Sequence, residues 1–304
     1  MVNRQGKDPI KQCVKDKIMA KRETFKNVNS DLLDGKKLYH ERARLTLPYL
    51  VRQAKAGQTI YYSDLAEEID IPNPRNLNYV LGAIGNALIE LGKRTKTEIP
   101  PIQCVVVNKR QELPGEGIGW FISPSDFGKI NKTQKQKVVA AQLIKIYTFQ
   151  RWDWVLQQLE LAPVPTNLDN ELDEAKNGQS GGESEQHKKF KAFISKNPSV
   201  LGLNVDLANG QQEYSLPSAD TVDVLFIDKD LKIGVEVKSS ISNTADILRG
   251  LFQCVKYKHL IEAEQTVNDE FPNSRIILAL QGKFPDELTL VKNLLGIEVI
   301  DKIN

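Results

Sequence analysis

Thr221-Val222-Asp223-Val224-Leu225-Phe226-Ile227-Asp228-Lys229-Asp230-Leu231-Lys232-Ile233-Gly234-Val235-Glu236-Val237-Lys238 is the stretch from which the fold of the C-terminal half is read. Thr221–Ile227 and Lys232–Val237 are rich in apolar and β-branched residues. Asp228-Lys229-Asp230 between them has the composition of a tight turn, so the two segments are predicted to pair as an antiparallel hairpin. Side chains alternate along a strand, which puts Glu236 and Lys238 on one face and sends Val235 and Val237 into the core. Asp223 is a charged residue inside a strand that otherwise looks buried. Folded about the turn, the hairpin brings Asp223 and Glu236 onto the same face, near one another. Two carboxylates and an ammonium in an apolar sheet are costly without a metal or a partner to compensate them.

That grouping suits phosphodiester chemistry, which needs a divalent metal at the attacking and leaving oxygens and a cation near the phosphorus. The acid-x-Lys triplet is not itself distinctive, since it recurs at Asp34-Gly35-Lys36, Glu174-Ala175-Lys176 and Asp230-Leu231-Lys232. Those three fall in a turn, a linker and a hairpin tip. Only Glu236-Val237-Lys238 ends an apolar strand.

Working outward, a helix from Glu183 to Lys196 is stopped by Asn197-Pro198, and a strand Gln212–Leu216 precedes the hairpin. A helix from Thr244 to Ala263, a strand Arg275–Leu280, a helix Pro285–Leu295 and a strand Ile297–Ile300 follow. The order α-β-β-β-α-β-α-β describes a mixed sheet flanked by helices, over residues 183–304. Residues 161–182 carry prolines, acids and Asn-Gly-Gln-Ser-Gly-Gly without apolar periodicity and read as a linker. Residues 131–160 read as one long amphipathic connecting helix with Trp152 and Trp154 towards its end. Within 36–130, Leu45, Leu47, Leu50 and Val51 mark a helix and Thr59–Tyr62 a short strand. Ser63 is the expected N-cap of a helix Asp64–Ile69, followed by a helix Asn78–Leu91, a strand Ile102–Asn108 and a Gly-rich return Leu113–Trp120. This is the plan of a winged helix. Residues 1–35 form a basic extension with Lys11, Lys15, Lys17, Lys21, Arg22 and Lys26. The fold class is therefore α/β, with a winged helix-turn-helix domain before the mixed sheet.

The chain has 304 residues, enough for two domains that each bury a core, and its 40% hydrophobic and 26% charged residues are those of a globular protein. A net charge of +2 hides an asymmetry. Residues 1–150 hold 25 Lys and Arg against 15 Asp and Glu, whereas residues 151–304 hold 16 against 24. The basic half is suited to an anionic polymer. No apolar run nears the ~20 residues that span a bilayer and the N-terminus lacks a signal-peptide pattern, so a cytoplasmic protein without membrane contact is expected. Cys13, Cys104 and Cys254 show no CxxC or Cys/His spacing, and His40, His187 and His259 are too few for a His-rich metal site. Metal chemistry would run on carboxylates, favouring Mg2+ or Mn2+. His187 and His259 are read as surface residues of helices.

Asp223 on one strand, a short turn, Glu236-Val237-Lys238 ending the next, and Gln253-Cys254-Val255-Lys256-Tyr257 on a following helix resemble the PD-(D/E)xK nuclease superfamily, including the Gln-x-x-x-Tyr element of its RecB-like branches. The segment from Glu183 to Pro198 is similar to the first helix of Shedu-like and NucS-like nucleases, which carries a further acid, here Glu185 or Glu183. The resemblance covers about residues 183–282 and implies a restriction-endonuclease-like fold. By it, Asp223, Glu236 and the carbonyl of Val237 bind Mg2+ or Mn2+, Lys238 orients the attacking water, and Gln253, Tyr257 and Glu185 assist. Pro217 precedes Asp223 by six positions, so the Pro-Asp pair is not literal, and Asp220 is a rival for the aspartate.

A second resemblance covers about residues 42–122. Gly57-Gln58-Thr59-Ile60-Tyr61-Tyr62-Ser63-Asp64-Leu65-Ala66, Gly82-Ala83-Ile84-Gly85, Ile99-Pro100-Pro101-Ile102-Gln103-Cys104-Val105-Val106 and Leu113-Pro114-Gly115 follow the order seen in the DNA-binding domain of O6-alkylguanine-DNA alkyltransferases. Those enzymes carry Pro-Cys-His-Arg-Val-Val. In register, Ile102 takes the place of the cysteine and Gln103 that of the histidine, so nucleophile and base are both missing, and Cys104 reads as a core thiol. What the resemblance leaves is DNA binding. Arg75, Asn76 and Asn78 would meet bases and phosphates, and Lys93, Arg94, Lys96, Lys109 and Arg110 the backbone. The expectation is a two-domain, metal-dependent DNA endonuclease of restriction, defence or repair, a homodimer supplying two sites for two strands. The alternative is a DNA-binding or regulatory protein whose nuclease fold has lost activity.

Overall fold

The computed structural model describes residues 29–122, 127–166, 184–204, 207–270 and 272–304, with 168, 171, 173 and 175. The chain forms two compact units, Met1–Pro165 and Thr166–Asn304. Glu183 and the lysine-rich residues of the N-terminal extension from Lys11 to Lys26 lie outside the described residues, as do most residues between 167 and 183.

In the first unit, helix α1 (Leu38–Ala56) turns Ala43, Leu47, Leu50, Val51 and Ala54 inward and ends at Gly57, whose φ of 67° is open to glycine at no steric cost. Strand β1 (Ile60–Tyr61) pairs in parallel with β2 (Val106–Val107). Helix α2 (Tyr62–Glu68) and helix α3 (Leu77–Thr95) complete the core, α3 through Leu77, Val80, Leu81, Ile84, Leu88 and Leu91 at helical spacing.

Two readings of this region are corrected. Ser63 is not the N-cap: the cap is Tyr61, in an extended conformation, and the Ser63 hydroxyl donates to Asp64 Oδ1 instead. Ile102–Val105 is a tight 3-10 turn rather than a strand, closed by the Cys104 N–H donating to the Pro101 carbonyl at 3.0 Å, and only Val106 and Val107 reach a strand partner. Its apolar run is buried on all sides, so it has no alternation to obey. The Gly-rich return forms a 3-10 turn (Glu116–Ile118) and a helical turn (Gly119–Ile122), and no strand occurs there among the described residues.

The segment 131–160 is two helices, α4 (Lys132–Thr148) and α5 (Trp152–Gln158), not one. Phe149 leaves helical geometry while its N–H still donates to the Ile146 carbonyl at 3.3 Å, and the Trp152 indole N–H donates to the same carbonyl at 2.9 Å. Val139, Ile146, Trp152, Val155, Leu156 and Leu159 belong to the first unit's core, so this segment is part of that unit.

In the second unit, helix α6 (Glu185–Lys196) is capped by Ser184, whose hydroxyl accepts from the His187 N–H. Strands β3 (Gln211–Ser215), β4 (Thr221–Asp228), β5 (Leu231–Lys238), β6 (Ser274–Leu280) and β7 (Glu298–Ile300) form one sheet in that order. The first three are antiparallel, and β6 and β7 join in parallel. The β4–β5 hairpin turns at Lys229, with a φ of 59°, and Asp230, pairing Asp228 with Leu231. Helix α7 (Thr244–Val267) covers one face through Leu248, Leu251, Cys254 and Ile261 against Val222, Leu225, Ile276 and Leu278. Helix α6 covers the other through Phe190 and Ile194 against Val224, Phe226, Val235 and Val237. A short helix α8 (Thr289–Leu295) precedes β7. Across both units no described helix is long and apolar enough to cross a membrane.

Candidate active site on the central hairpin

The site begins where strand β4 lets go of its neighbours. The β3–β4 ladder pairs Gln212 with Val224 and Tyr214 with Val222, skipping Glu213 and Asp223, and the β4–β5 ladder ends at Val224 and Val235. Asp223 fills the gap itself: its Oδ2 accepts from the Val237 N–H at 2.9 Å. A carboxylate thus takes the place of a backbone carbonyl at the end of the hairpin. On its other side, Oδ1 lies 3.6 Å from His187 Nε2 and 3.7 Å from Lys191 Nζ, both on α6. Burial acts to raise the pKa of Asp223, but the His187 and Val237 hydrogen bonds and the charges of His187 and Lys191 outweigh it and hold the group below its ordinary value.

Glu236 is 4% exposed. Its Oε1 accepts from Lys238 Nζ at 2.7 Å, and that ammonium also donates to Gln253 Oε1 at 3.3 Å. Burial pushes Glu236 up to about 7, against the pull of Lys238 and with the help of the negative charge on Asp223. The negative charge on Asp223 thus reaches Glu236, although Asp223 Oδ1 is turned to α6 while Glu236 is tied through Lys238 to Gln253 of α7. Gln253 Nε2 and the Tyr257 hydroxyl stand 3.5 Å apart, one helical turn apart on α7. Burial, and then the charges of Glu236 and Asp223, raise Tyr257 well above the usual phenol range and keep it a neutral donor. Cys254 is buried beside them and its thiol is likewise pushed up, so it stays protonated.

Glu185 is not brought to this group. Its side chain is 79% exposed and sits 3.7 Å from Lys188 on the outer side of α6. Asp220 is paired with Lys256 and Ser218. His187, read as a surface residue, is instead at Asp223, while His259 is exposed next to Glu262. The helical period held the signal: His187, Phe190, Lys191 and Ile194 share the inward stripe of α6, and Glu185 falls off it. Gly250 was also missed. A Cβ there would lie 2.9 Å from Lys238 Cε and 3.0 Å from Leu278 Cδ1, so the bare backbone makes room for the lysine stem.

Asp223, Glu236 and the Val237 carbonyl are hard oxygen donors. Mg2+ is commonly held by one or two carboxylates, with waters and substrate phosphate completing its shell. The donor set fits that mode; among the described residues no three His, Cys, Asp or Glu side chains form a group that could hold a metal ion.

In the first unit, Arg75, Asn76 and Asn78 are exposed at the start of α3, where the Asn73 side chain caps the turn. Tyr79 beside them is 70% exposed, its ring stacked 6.5 Å from Tyr39. Lys93 and Arg110 are exposed, and Lys109 lies over the Tyr61 ring. Arg94 is gripped by Asp31 at 2.8 and 3.1 Å and by Glu90 at 3.3 Å. Cys104 is buried, and burial pushes its thiol up to about 12, which removes it as a nucleophile at neutral pH.

Comparison of the chain with protein-family models, with curated proteins and with solved structures finds no match.

Proposed function

We propose that the protein is a Mg2+- or Mn2+-dependent DNA endonuclease of the PD-(D/E)xK superfamily, its first unit binding DNA as a winged helix and its second hydrolysing the phosphodiester. The observation that carries this reading is the convergence of Asp223 and Glu236 with Lys238 at the open end of one hairpin, beside the apolar core of the sheet. Lys238 offsets part of the cost of burying Glu236, and a bound divalent cation would offset more of it. Asp223, Glu236 and the Val237 carbonyl hold the metal, which supplies Lewis-acid stabilisation of charge on the phosphate. Gln253 and Glu236 aim the Lys238 ammonium, which orients the attacking water. Tyr257, kept protonated, accepts from the Gln253 amide N–H and donates to a phosphate oxygen. Water adds to phosphorus, the phosphorus–oxygen bond to the leaving sugar breaks, and the leaving oxygen takes up a proton.

The basic surplus of the first half and the exposed Arg75, Asn76, Asn78 and Tyr79 support a DNA partner. Restriction or defence against foreign DNA is the setting we infer, with repair next and a homodimer as the assembly. A second reading, a DNA-binding protein without cleavage, is favoured by the outward position of Glu185.

One experiment separates the two. Phage genomes with defined base modifications are incubated with the protein in Mg2+ and in EDTA. Cleavage dependent on Mg2+ and lost in both Asp223→Ala and Lys238→Ala, with DNA binding retained, is the expected outcome. Binding without any Mg2+-dependent cleavage would leave the second reading standing.

A further inference from the structure

We propose that Glu213 is a positioning residue for the metal site: it draws the Lys191 ammonium toward itself and so lessens the competition a divalent cation meets at the Asp223 carboxylate. The inference rests on the metal-binding reading of Asp223 and Glu236. Lys191 is 4% exposed, on the inward stripe of α6, with its Nζ between two carboxylates. It is in direct contact with Glu213 and is 3.7 Å from Asp223 Oδ1.

The backbone of Glu213 is the second observation. Within β3 it has a φ of 53°, in the left-handed region that a glutamate seldom occupies, and it interrupts the ladder directly opposite the gap at Asp223. Glu213 itself is more than half exposed, so its carboxylate has water as an alternative partner, whereas the buried lysine has little access to water. The ion pair therefore matters more to Lys191 than to Glu213. Were Glu213 neutral, the pull that keeps the ammonium off Asp223 would be gone and it would draw closer to Oδ1. An ammonium bonded to Oδ1 and a divalent cation on the same oxygen exclude one another.

Metal binding by the full chain, without DNA, separates this role from a merely structural one. Free Mn2+ is titrated by electron paramagnetic resonance with wild type, Glu213→Gln, Lys191→Met, the double variant and Asp223→Asn. Glu213→Gln is expected to weaken Mn2+ binding about tenfold, the effect of one unscreened charge moved onto the ligand. The double variant, having lost the competing ammonium, is expected to bind at least as tightly as wild type; Lys191→Gln replaces Lys191→Met if the latter does not fold. A loss of packing would weaken the double variant further, so its recovery is the sign of competition. Asp223-dependent binding that Glu213→Gln leaves unchanged, or a double variant as weak as Glu213→Gln, overturns the inference alone. Binding that Asp223→Asn does not alter overturns the metal reading of Asp223 and this inference with it.

Discussion

Unfolded, Glu236 ionises near the ordinary 4.5; in the metal-free fold it does so near 7. Between those values the folded chain holds a proton that the unfolded chain has lost. Its contribution to stability is thus full below about 4.5 and is lost as the pH rises to about 7. Asp223 acts in the opposite sense, adding stability above its ordinary 3.8 that is lost in stronger acid. In EDTA, wild type should melt at progressively lower temperature from pH 5 to pH 8 relative to Glu236→Gln, with about 2–3 kcal/mol at stake. Mg2+ should offset that loss more at pH 8 than at pH 6. Parallel melting curves for the two proteins across this range would refute the buried, high-pKa glutamate. Glu236 and Lys238 were legible because strand alternation fixes their face, and Asp223 because a charged residue stands out in an apolar strand; the break in alternation at Asp223, with Val222 in the core against α7 and Val224 in the core against α6, was not. Glu185 matches the family's position but not the inward phase of α6, which the buried spacing of Phe190 and Ile194 gives to His187 and Lys191.

At the scale of the element, α7 places Gln253 and Tyr257 and also yields space at Gly250. In Gly250→Ala the new methyl must displace the Lys238 stem or Leu278, both flexible, so the fold should survive with a stability loss of roughly 1 kcal/mol. The turnover of DNA cleavage should fall by at least tenfold with KM for DNA little changed, as steady-state kinetics would report. Equal turnover in the two proteins would mean that Lys238 does not need its present path. The strands and helices of the second unit were readable because their apolar periods are clean. Ile102–Asn108 was not: a run of β-branched residues buried on every side has no period, and Pro101 set a 3-10 turn that composition does not reveal. The split at Phe149 is accompanied by an indole hydrogen bond from Trp152 to Ile146, a tertiary detail invisible to helical periodicity.

Over the whole molecule, charge is divided between the halves, with 25 basic and 15 acidic residues up to position 150 and 16 against 24 beyond it. DNA affinity should therefore fall steeply with salt, each phosphate contact adding about 0.9 to the slope of log K against log salt. Lys93→Glu with Lys109→Glu should make that slope shallower by about two contacts while leaving the melting temperature within about a degree. Fluorescence anisotropy over a salt series measures this. An unaltered slope would move the DNA-binding face elsewhere. Arg94 belongs to a different class, since its guanidinium already serves Asp31 and Glu90, and its loss is expected to cost stability before affinity.

The skipped ladder at Asp223 also bears on how the chain reaches its fold. The hairpin that brings Asp223 to Val237 closes across two residues, Lys229 and Asp230, and is among the most local long-strand pairings in the second unit. Contacts of short sequence separation form with little loop-closure entropy, whereas β6 pairs with β5 only after the whole of α7 has been threaded across the sheet. The acidic pair is thus assembled early, while Lys238 gains Gln253 late, when the crossover helix docks. An intermediate with the hairpin formed and α7 still undocked would carry two adjacent carboxylates open to solvent, so on the proposed metal reading a divalent cation present during refolding would meet its ligands before the native core is complete.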